Sequence, residues 1–261
     1  MSTPNSHDKD DDEEVGSPNY WVEQFEGTPG SVVVPPYIRF LQGLLLLRRA
    51  VVVLRSAQYS GAMGHPELSE AIMDFEDDRV ANQVEVSYET YFAGQLLINL
   101  ISEVEHFFGS AISAALRLHP NKMGKQSFQL SEIISAGSTD ELIDHAANIF
   151  LNKLMYEKPL DYAKKFSDIL SIDYDSLVDL WIPFVELKAR RDIGIHNNWV
   201  VNDIYNRKLF EAKIKCNESV GSRLRPDFSY LTKADHICLD LVEGIIELLS
   251  EKWMPDPEKA E

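Results

Sequence analysis

Apolar residues recur at three- and four-residue steps over much of the chain, which is the spacing of one face of an α-helix. The longest such pattern predicts a helix over Tyr88–Leu118. It should end at His119, because the residue before a proline is disfavoured in helical geometry. The apolar stripe of this helix consists of Leu97, Leu100, Ile101, Val104, Phe108, Ala111, Ala115 and Leu118.

Local start signals predict two helices after this one. Residues 138–141 read Ser-Thr-Asp-Glu, the pattern of a capping box in which side chains satisfy the first free amides of a helix. A helix should therefore start there and run to about Tyr156. Pro159 should open the next helix, because the missing amide of proline costs nothing in a first turn.

Two more helices are predicted towards the C-terminus. Asp175 or Ser176 should cap the first, and Pro183 inside its apolar pattern should kink that helix without ending it. The Thr-Lys-Ala-Asp sequence at 232–235 should cap a final helix that reaches Trp253.

The segment 31–85 is predicted as a helical N-terminal extension. Its first helix should cover Tyr37–Arg55, after a proline pair suited to a helix start. The valine run within it fits a strand equally well, and that alternative stays open. A loop is expected over 56–64 and a short helix over 66–75.

The region 209–230 loses helical periodicity, and its alternating Lys-Ile-Lys at 213–215, followed by a turn-like Ser-Val-Gly-Ser at 219–222, fits a short hairpin. Strands do not alternate with helices anywhere else in the pattern. The predicted fold class is therefore all-α, a helical bundle over 86–255 with a short β-hairpin insertion.

The composition of the first thirty residues differs from that of the predicted helices. Residues 8–14 contain six acidic residues and one lysine, and such dense like charge repels itself and stays solvated. Residues 1–30 are therefore predicted as a disordered acidic tail, either solubilising or used for interaction. The formal net charge of −17 also argues against a protein that binds nucleic acid over its whole surface.

Several chemistries are excluded by spacing. The two cysteines, Cys216 and Cys238, lack the partners of a zinc site and are expected to be reduced. The Gly124-Lys125 pair lacks the first glycine of a phosphate-binding loop. Glu103 and His106 match half of a di-iron motif, but no second copy exists. We therefore expect no metal and no cofactor.

Targeting signals are also missing from the pattern. The N-terminus has no basic and apolar leader, and the greasiest segment, 38–54, is interrupted by Arg48 and Arg49. A cytoplasmic location without membrane insertion is expected.

A locally positive strip stands out between Glu186 and Lys215. It holds seven basic and four acidic residues within a strongly acidic chain. This distribution fits a confined anion site. It equally fits a basic helix end that complements the helix dipole.

Inside this strip, Arg191 and His196 form a pair that suits metal-free RNA cleavage. A histidine titrates near neutral pH and can act as base or acid for a 2′-hydroxyl. A guanidinium suits the charge that builds up on a phosphate. The open alternative is an Arg–Asp–His hydrogen-bond network, including Asp192, that closes a helix end without catalysis.

The segment Arg191-Asp192-Ile193-Gly194-Ile195-His196, followed by Asn197, resembles the HEPN superfamily (higher eukaryotes and prokaryotes nucleotide-binding). The hallmark of that family is an arginine followed by a polar residue, then three to five intervening residues, then a histidine at a helix end. The resemblance covers roughly 88–253. It implies a small α-bundle that dimerises so that two Arg–His pairs share one cleft.

What the resemblance implies about function is a metal-independent endoribonuclease for single-stranded RNA, with a toxin–antitoxin or antiviral role and an antitoxin or other partner protein. His196 would be the acid or base, Arg191 would hold phosphate, and Asp192 would orient one of them. The expected substrate contacts are Asn197, Arg190, Lys188 and Tyr205. This interpretation requires Arg191 and His196 to be exposed and to converge in a cleft.

The alternative is a catalytically inactive helical module that binds a partner protein or nucleic acid. In that case the greasy N-terminal helix and the acidic surface would bind a partner, and the Arg–His pair would be structural. Trp199 near the motif could stack on bases, although a place in the core or an interface is the more ordinary use of such a ring.

Overall fold

The computed structural model describes residues 18–62, 88–124, 127–154 and 157–253, and those residues form nine α-helices and no strand. The predicted all-α class is confirmed. Two short 3-10 helices lie at Pro29–Val33 and Pro120–Met123. The helices are α1 Pro18–Phe25, α2 Val34–Ala62, α3 Tyr88–Leu118, α4 Leu130–Ser135, α5 Thr139–Leu154, α6 Pro159–Leu170, α7 Val178–Asn197, α8 Asp203–Glu211 and α9 Phe228–Trp253.

Helix α3 is the central helix, and it has the predicted bounds. It packs against α2, α5, α6, α7 and α9. Phe108 on its buried side is surrounded by rings, with centroids 5.0 Å from Phe166, 4.9 Å from Trp181 and 5.4 Å from Phe184. A helix enclosed in this way needs apolar residues on more than one side, which explains its high apolar content.

Helix α2 settles the choice between helix and strand in favour of the helix. It starts at Val34, directly before the two prolines, and runs to Ala62. The loop expected from residue 56 is therefore wrong as far as 62. Small residues such as Ser56 and Ala57 do not end a helix by themselves. The short helix expected over 66–75 lies outside the described residues.

The predicted tail is too long. Residues 18–25 form α1, in which Trp21 and Phe25 are buried in the main core, and Thr28 caps the following turn by accepting a hydrogen bond from the Gly30 amide. Two aromatic residues four apart anchor this helix of about two turns, which is too short to show periodicity. Residues 1–17 lie outside the described part of the chain. Helices α1 and α2 share one core with the bundle.

The start signals of the middle helices are confirmed. Ser138 Oγ accepts a hydrogen bond from the Glu141 amide (3.2 Å), and the Glu141 carboxylate accepts one from the Gly137 amide (2.8 Å). Helix α5 follows and ends at Leu154. Pro159 is the first residue of α6.

The predicted caps of the last two long helices are wrong. Asp173 accepts hydrogen bonds from the amides of Asp175 and Ser176, and α7 begins only at Val178 and continues through Pro183. Helix α9 begins at Phe228, four residues before the predicted cap, because Asp227 accepts a hydrogen bond from the Tyr230 amide at 2.7 Å. The other predicted cap residue, Asp235, is buried and pairs with Arg48 of α2 at 2.7 Å.

The expected hairpin does not form. Residues 219–222 do make a turn, in which the Ser222 amide donates to the Ser219 carbonyl (3.0 Å). The chain after this turn pairs instead with the segment that follows α7, through an isolated antiparallel bridge between Val200 and Arg223. Short alternating segments carry too little information to identify their partner.

Candidate functional site

The second half of α7 carries most of the predicted site residues. Lys188 and Asp192 are four residues apart and lie on one face of the helix, towards α3 and α8. Arg190 lies on another face with Glu186. The helix therefore divides the basic strip between two environments.

Arg191 is largely buried, with 12% of its side chain exposed. Its guanidinium forms an ion pair with Glu105 of α3 and a second one with Asp192 at 3.3 Å. Burial lowers the pKa of Arg191 while Asp192 opposes this effect, yet a guanidinium stays charged in proteins. Arg191 is thus a charged group whose counter-ion the protein itself supplies.

The same carboxylates pair with two lysines. Lys188 donates to Glu105, and Lys208 of α8 donates to Asp192 at 2.6 Å. Burial lowers the pKa of Lys188 to about 8. We call Glu105, Lys188, Arg191, Asp192 and Lys208 the ionic cluster. It ties α3, α7 and α8 together.

His196 lies apart from this cluster. It is exposed at the C-terminal end of α7, and no hydrogen bond or ion pair joins it to Arg191. Five residues of helix separate the two side chains by about 140° around the axis and about 7.5 Å along it. The expectation that both side chains are exposed and converge in a cleft is wrong for this chain, because Arg191 turns towards α3.

Arg190 and Tyr205 take part in a second polar network on the other face of α7. Glu186 accepts hydrogen bonds from Arg190 (2.7 Å), Tyr205 (3.1 Å) and Tyr230 (2.6 Å). The guanidinium of Arg190 lies 4.3 Å from the ring centre of Tyr230. Burial and the nearby carboxylate raise the pKa of both tyrosines. The Nε of Arg190 and the hydroxyl of Tyr205, two of the predicted substrate contacts, thus both donate to Glu186 within the protein.

Asn197 closes the end of α7. Its side-chain amide donates to the Val200 carbonyl at 2.6 Å, and the next two residues, Asn198 and Trp199, have positive φ angles of 49° and 64°. The chain therefore turns sharply back across the helix end. Asn197 supports this turn and does not contact His196 through any hydrogen bond that the structure describes.

Trp199 is half-buried and packs against the core. A Cβ atom added at Gly194 of α7 would lie 2.7 Å from its indole, and one added at Gly94 of α3 would lie 2.8 Å away. Both glycines are therefore needed for close approach of the ring. Gly194 makes room for the ring inside a continuous helix.

The described residues hold no group of three or more His, Cys, Asp or Glu side chains arranged to bind a metal ion. His106 instead lies 3.5 Å from the hydroxyl of Ser110. A search of the same residues finds no helix with the length and apolarity needed to cross a membrane.

Two acidic residues organise the site, Glu105 and Glu186, and neither is among the predicted site residues. Glu105 lies three residues before Phe108 in the buried stripe of α3, and Glu186 lies between apolar residues of α7. An acidic residue inside an apolar helical stripe signals a buried partner of opposite charge. That signal was present in the sequence, although it does not identify the partner.

Fold and site together define an all-α protein with a half-buried, internally paired ionic cluster that joins three of its helices. Comparison with known proteins gives no match to a family model, to a curated protein or to a solved structure.

Proposed function

We propose that this chain is a non-catalytic helical interaction module that binds an acidic, amphipathic partner segment along α2. The observation that carries the proposal is a row of exposed aliphatic side chains on the outer face of that helix. The pairing of Arg191 with Glu105 supports it as well, because the arginine of the Arg–His pair then serves the fold.

Helix α2 is apolar on two sides. Its inner side packs against α3 through Tyr37, Phe40, Leu44 and Leu47. Its outer side exposes four aliphatic residues, Leu45 (48%), Leu46 (64%), Val52 (64%) and Val53 (65%). Leu45 and Val52 are seven residues apart, and so are Leu46 and Val53. The four side chains therefore form one face about two turns long. Contiguous exposed apolar surface of this kind marks interaction sites in folded proteins.

Charge identifies the kind of partner. The sequence of α2 contains four arginines, Arg39, Arg48, Arg49 and Arg55, and no acidic residue, within a chain of net charge −17. Arg49 lies between the aliphatic pairs and is exposed. A basic, apolar face in an acidic protein is complementary to an amphipathic helix with acidic flanks, laid along it as a helix in a groove.

A labelled synthetic helix with leucines at helical spacing and glutamates on its flanks tests the proposal by fluorescence anisotropy. We expect it to bind, and Val53→Asp to weaken binding at least about tenfold, since burying one aliphatic side chain contributes about 1.5–3 kcal/mol. Val220→Asp is the matched control, because Val220 is similarly exposed (55%) away from α2.

Other results would contradict this assignment. A peptide with lysines in place of the glutamates should bind more weakly, and equal or tighter binding would remove the charge argument. Adsorption to anionic vesicles without peptide binding would indicate a lipid surface. Concentration-dependent self-association that Val53→Asp abolishes would indicate a second copy of the chain as the occupant.

The second candidate is the metal-independent endoribonuclease that the HEPN resemblance implies, acting on single-stranded RNA as a homodimer in a toxin or defence role. One observation favours it: the imidazole of His196 is exposed at the end of the helix that carries the motif. In this candidate, Arg191 must exchange Glu105 for a phosphate, and a second copy supplies the opposing histidine.

Incubation of single-stranded RNA with the protein in EDTA separates the two candidates. Cleavage by the wild type that both Arg191→Ala and His196→Ala abolish would establish the ribonuclease. Absence of cleavage, or equal cleavage by all three proteins, would support the interaction module.

A further inference from the structure

The connector between α2 and α3, residues 63–87, lies outside the described residues, and its sequence contains an acidic, amphipathic stretch. Residues 66–78 read Pro-Glu-Leu-Ser-Glu-Ala-Ile-Met-Asp-Phe-Glu-Asp-Asp, with six acidic residues and no basic one. Leu68, Ile72 and Phe75 are spaced four and three residues apart, which predicts one apolar face of a helix. The chain therefore carries a segment of the kind that the outer face of α2 is proposed to bind.

The outer face of α2 complements this stretch in both apolarity and charge. Val52 and Val53 are exposed there. Arg49 lies on the same face one turn earlier, and Arg55 flanks it. Both arginines are exposed, and neither forms an ion pair within the part of the chain that the structure describes. The face thus lacks an apolar cover and counter-ions, and residues 66–78 could supply both.

The packing of α2 against α3 shows where the connector leaves and returns. Phe40 packs against Phe107, with ring centroids 6.2 Å apart. Gly43 faces Glu103. Because the residue numbers rise along α2 and fall along α3 at these contacts, the two helices are antiparallel. The start of α3 at Tyr88 therefore lies beside the last turns of α2.

The connector is long enough to reach the exposed valines and return. Val53 lies nine residues before the end of α2 at Ala62, which is about 13.5 Å along the helix axis. Residues 66–78 would span about 19.5 Å as a helix, so a helix that runs back along α2 from its end passes Val53. Residues 79–87 can extend over about 30 Å, which is enough to bring the chain back to α3.

We infer that residues 66–78 bind as a helix along the outer face of α2, with their apolar side on Val52 and Val53 and their acidic flanks near the exposed arginines. This rests on the function proposed for α2, because an outside partner then competes with the chain's own segment for the same face. At an effective concentration on the order of 1 mM, a tethered segment with a Kd on the order of 0.1 mM lowers the apparent affinity of a competitor about tenfold.

Hydrogen–deuterium exchange of the full chain, read by mass spectrometry of its peptides, tests the contact directly. We expect the amides of residues 66–78 to be protected about tenfold, which matches that occupancy. Ile72→Asp and Val53→Asp should each remove the protection, because each places a carboxylate in the apolar contact. Met73→Asp is the matched control, since residue 73 lies about 100° further round the helix and gains the same charge.

The labelled synthetic helix that tests the proposed function supplies a second measurement. By fluorescence anisotropy we expect it to bind Ile72→Asp about tenfold more tightly than the wild type, because the competing segment is released. Met73→Asp should bind it like the wild type.

The outcomes separate this inference from the proposed function. Absence of protection over residues 66–78 in the wild type, or protection that Val53→Asp leaves unchanged, would overturn the inference even if the synthetic helix binds and the proposed function stands. Protection that disappears on dilution would place the segment on a second copy of the chain and would also overturn it. Protection that both Ile72→Asp and Val53→Asp remove, without binding of the synthetic helix to Ile72→Asp, would support the inference and exclude the proposed partner.

Discussion

Glu105 is the residue whose removal best tests the interpretation of the ionic cluster. It is the shared counter-ion of Lys188 and Arg191, and Arg191 is only 12% exposed. Glu105→Gln keeps the size of the side chain and removes its charge. It leaves a buried guanidinium paired only with Asp192 at 3.3 Å.

The expected cost follows from burial. Breaking a buried ion pair by removing one partner costs about 3–5 kcal/mol, and the partial exposure of this pair reduces that to about 2–3 kcal/mol. For a chain of this size the loss corresponds to a fall in Tm of roughly 5–10 °C. Urea unfolding followed by circular dichroism measures the free energy of unfolding, and thermal melting checks it.

A matched control separates burial from charge. Arg117 of α3 and Asp144 of α5 also form an ion pair, at 2.6 Å, but their side chains are 63% and 43% exposed. Asp144→Asn should therefore cost no more than about 1 kcal/mol. In a double-mutant cycle, Glu105→Gln and Arg191→Met should couple by about 1 kcal/mol or more. Equal losses in the free energy of unfolding for Glu105→Gln and Asp144→Asn, or no coupling between Glu105→Gln and Arg191→Met, would refute the reasoning.

Three further outcomes are expected. Burial lowers the folded-state pKa of Lys188 to about 8, so above that pH the unfolded chain binds more protons than the folded chain. The wild type should therefore gain stability relative to Lys188→Met as the pH rises from about 8 towards 10. The same pH dependence of the free energy of unfolding in both proteins, measured with urea, would contradict this. Gly194→Ala should cost about 1–3 kcal/mol of stability because the added methyl group clashes with Trp199. Gly109→Ala in α3, which has open space around it, should be neutral or stabilising by up to about 1 kcal/mol. A lower Tm for Gly109→Ala than for Gly194→Ala would exclude the packing explanation. Asp227→Ala should cost about 1 kcal/mol as the loss of a helix cap, and an unchanged Tm would show that the amide needs no side-chain acceptor.

The helical class and the longest helix are predictable from sequence because their signal is summed over many residues. The apolar stripe of α3 spans about six turns, and the bounds of the helix are the predicted ones. The capping box at Ser138 and the start at Pro159 are equally local. Each of these features depends only on residues close together in the chain.

The errors concern features that long-range contacts decide. Asp235 has the residue type and spacing of a helix cap, yet Arg48, distant in sequence, recruits it into an ion pair. The chain turns at residues 219–222 as predicted, but the segment after the turn pairs with Val200 and not with the segment before the turn. Helix α1 forms because Trp21 and Phe25 find a place in the core, which no pattern within eight residues could reveal.

The candidate site shows the same division. The basic strip of α7 and its key residue types are visible in the sequence, and Trp199 is noted there as a candidate for the core or for stacking. Their roles depend on which residue of another helix faces them. Glu105 on α3 converts Arg191 from a candidate phosphate ligand into an internal ion pair, and Gly94 completes the space for the indole.

The central claim is that the guanidinium of Arg191 is held by Glu105 and is not free to bind phosphate. The NMR spectrum of the arginine side chains tests this most directly, with Arg191→Lys used to assign the signal. We expect Arg191 to give slowly exchanging, resolved side-chain resonances that stay unchanged when a non-cleavable RNA dinucleotide is added. Rapid exchange with solvent, together with a shift on addition of the dinucleotide, would contradict the account.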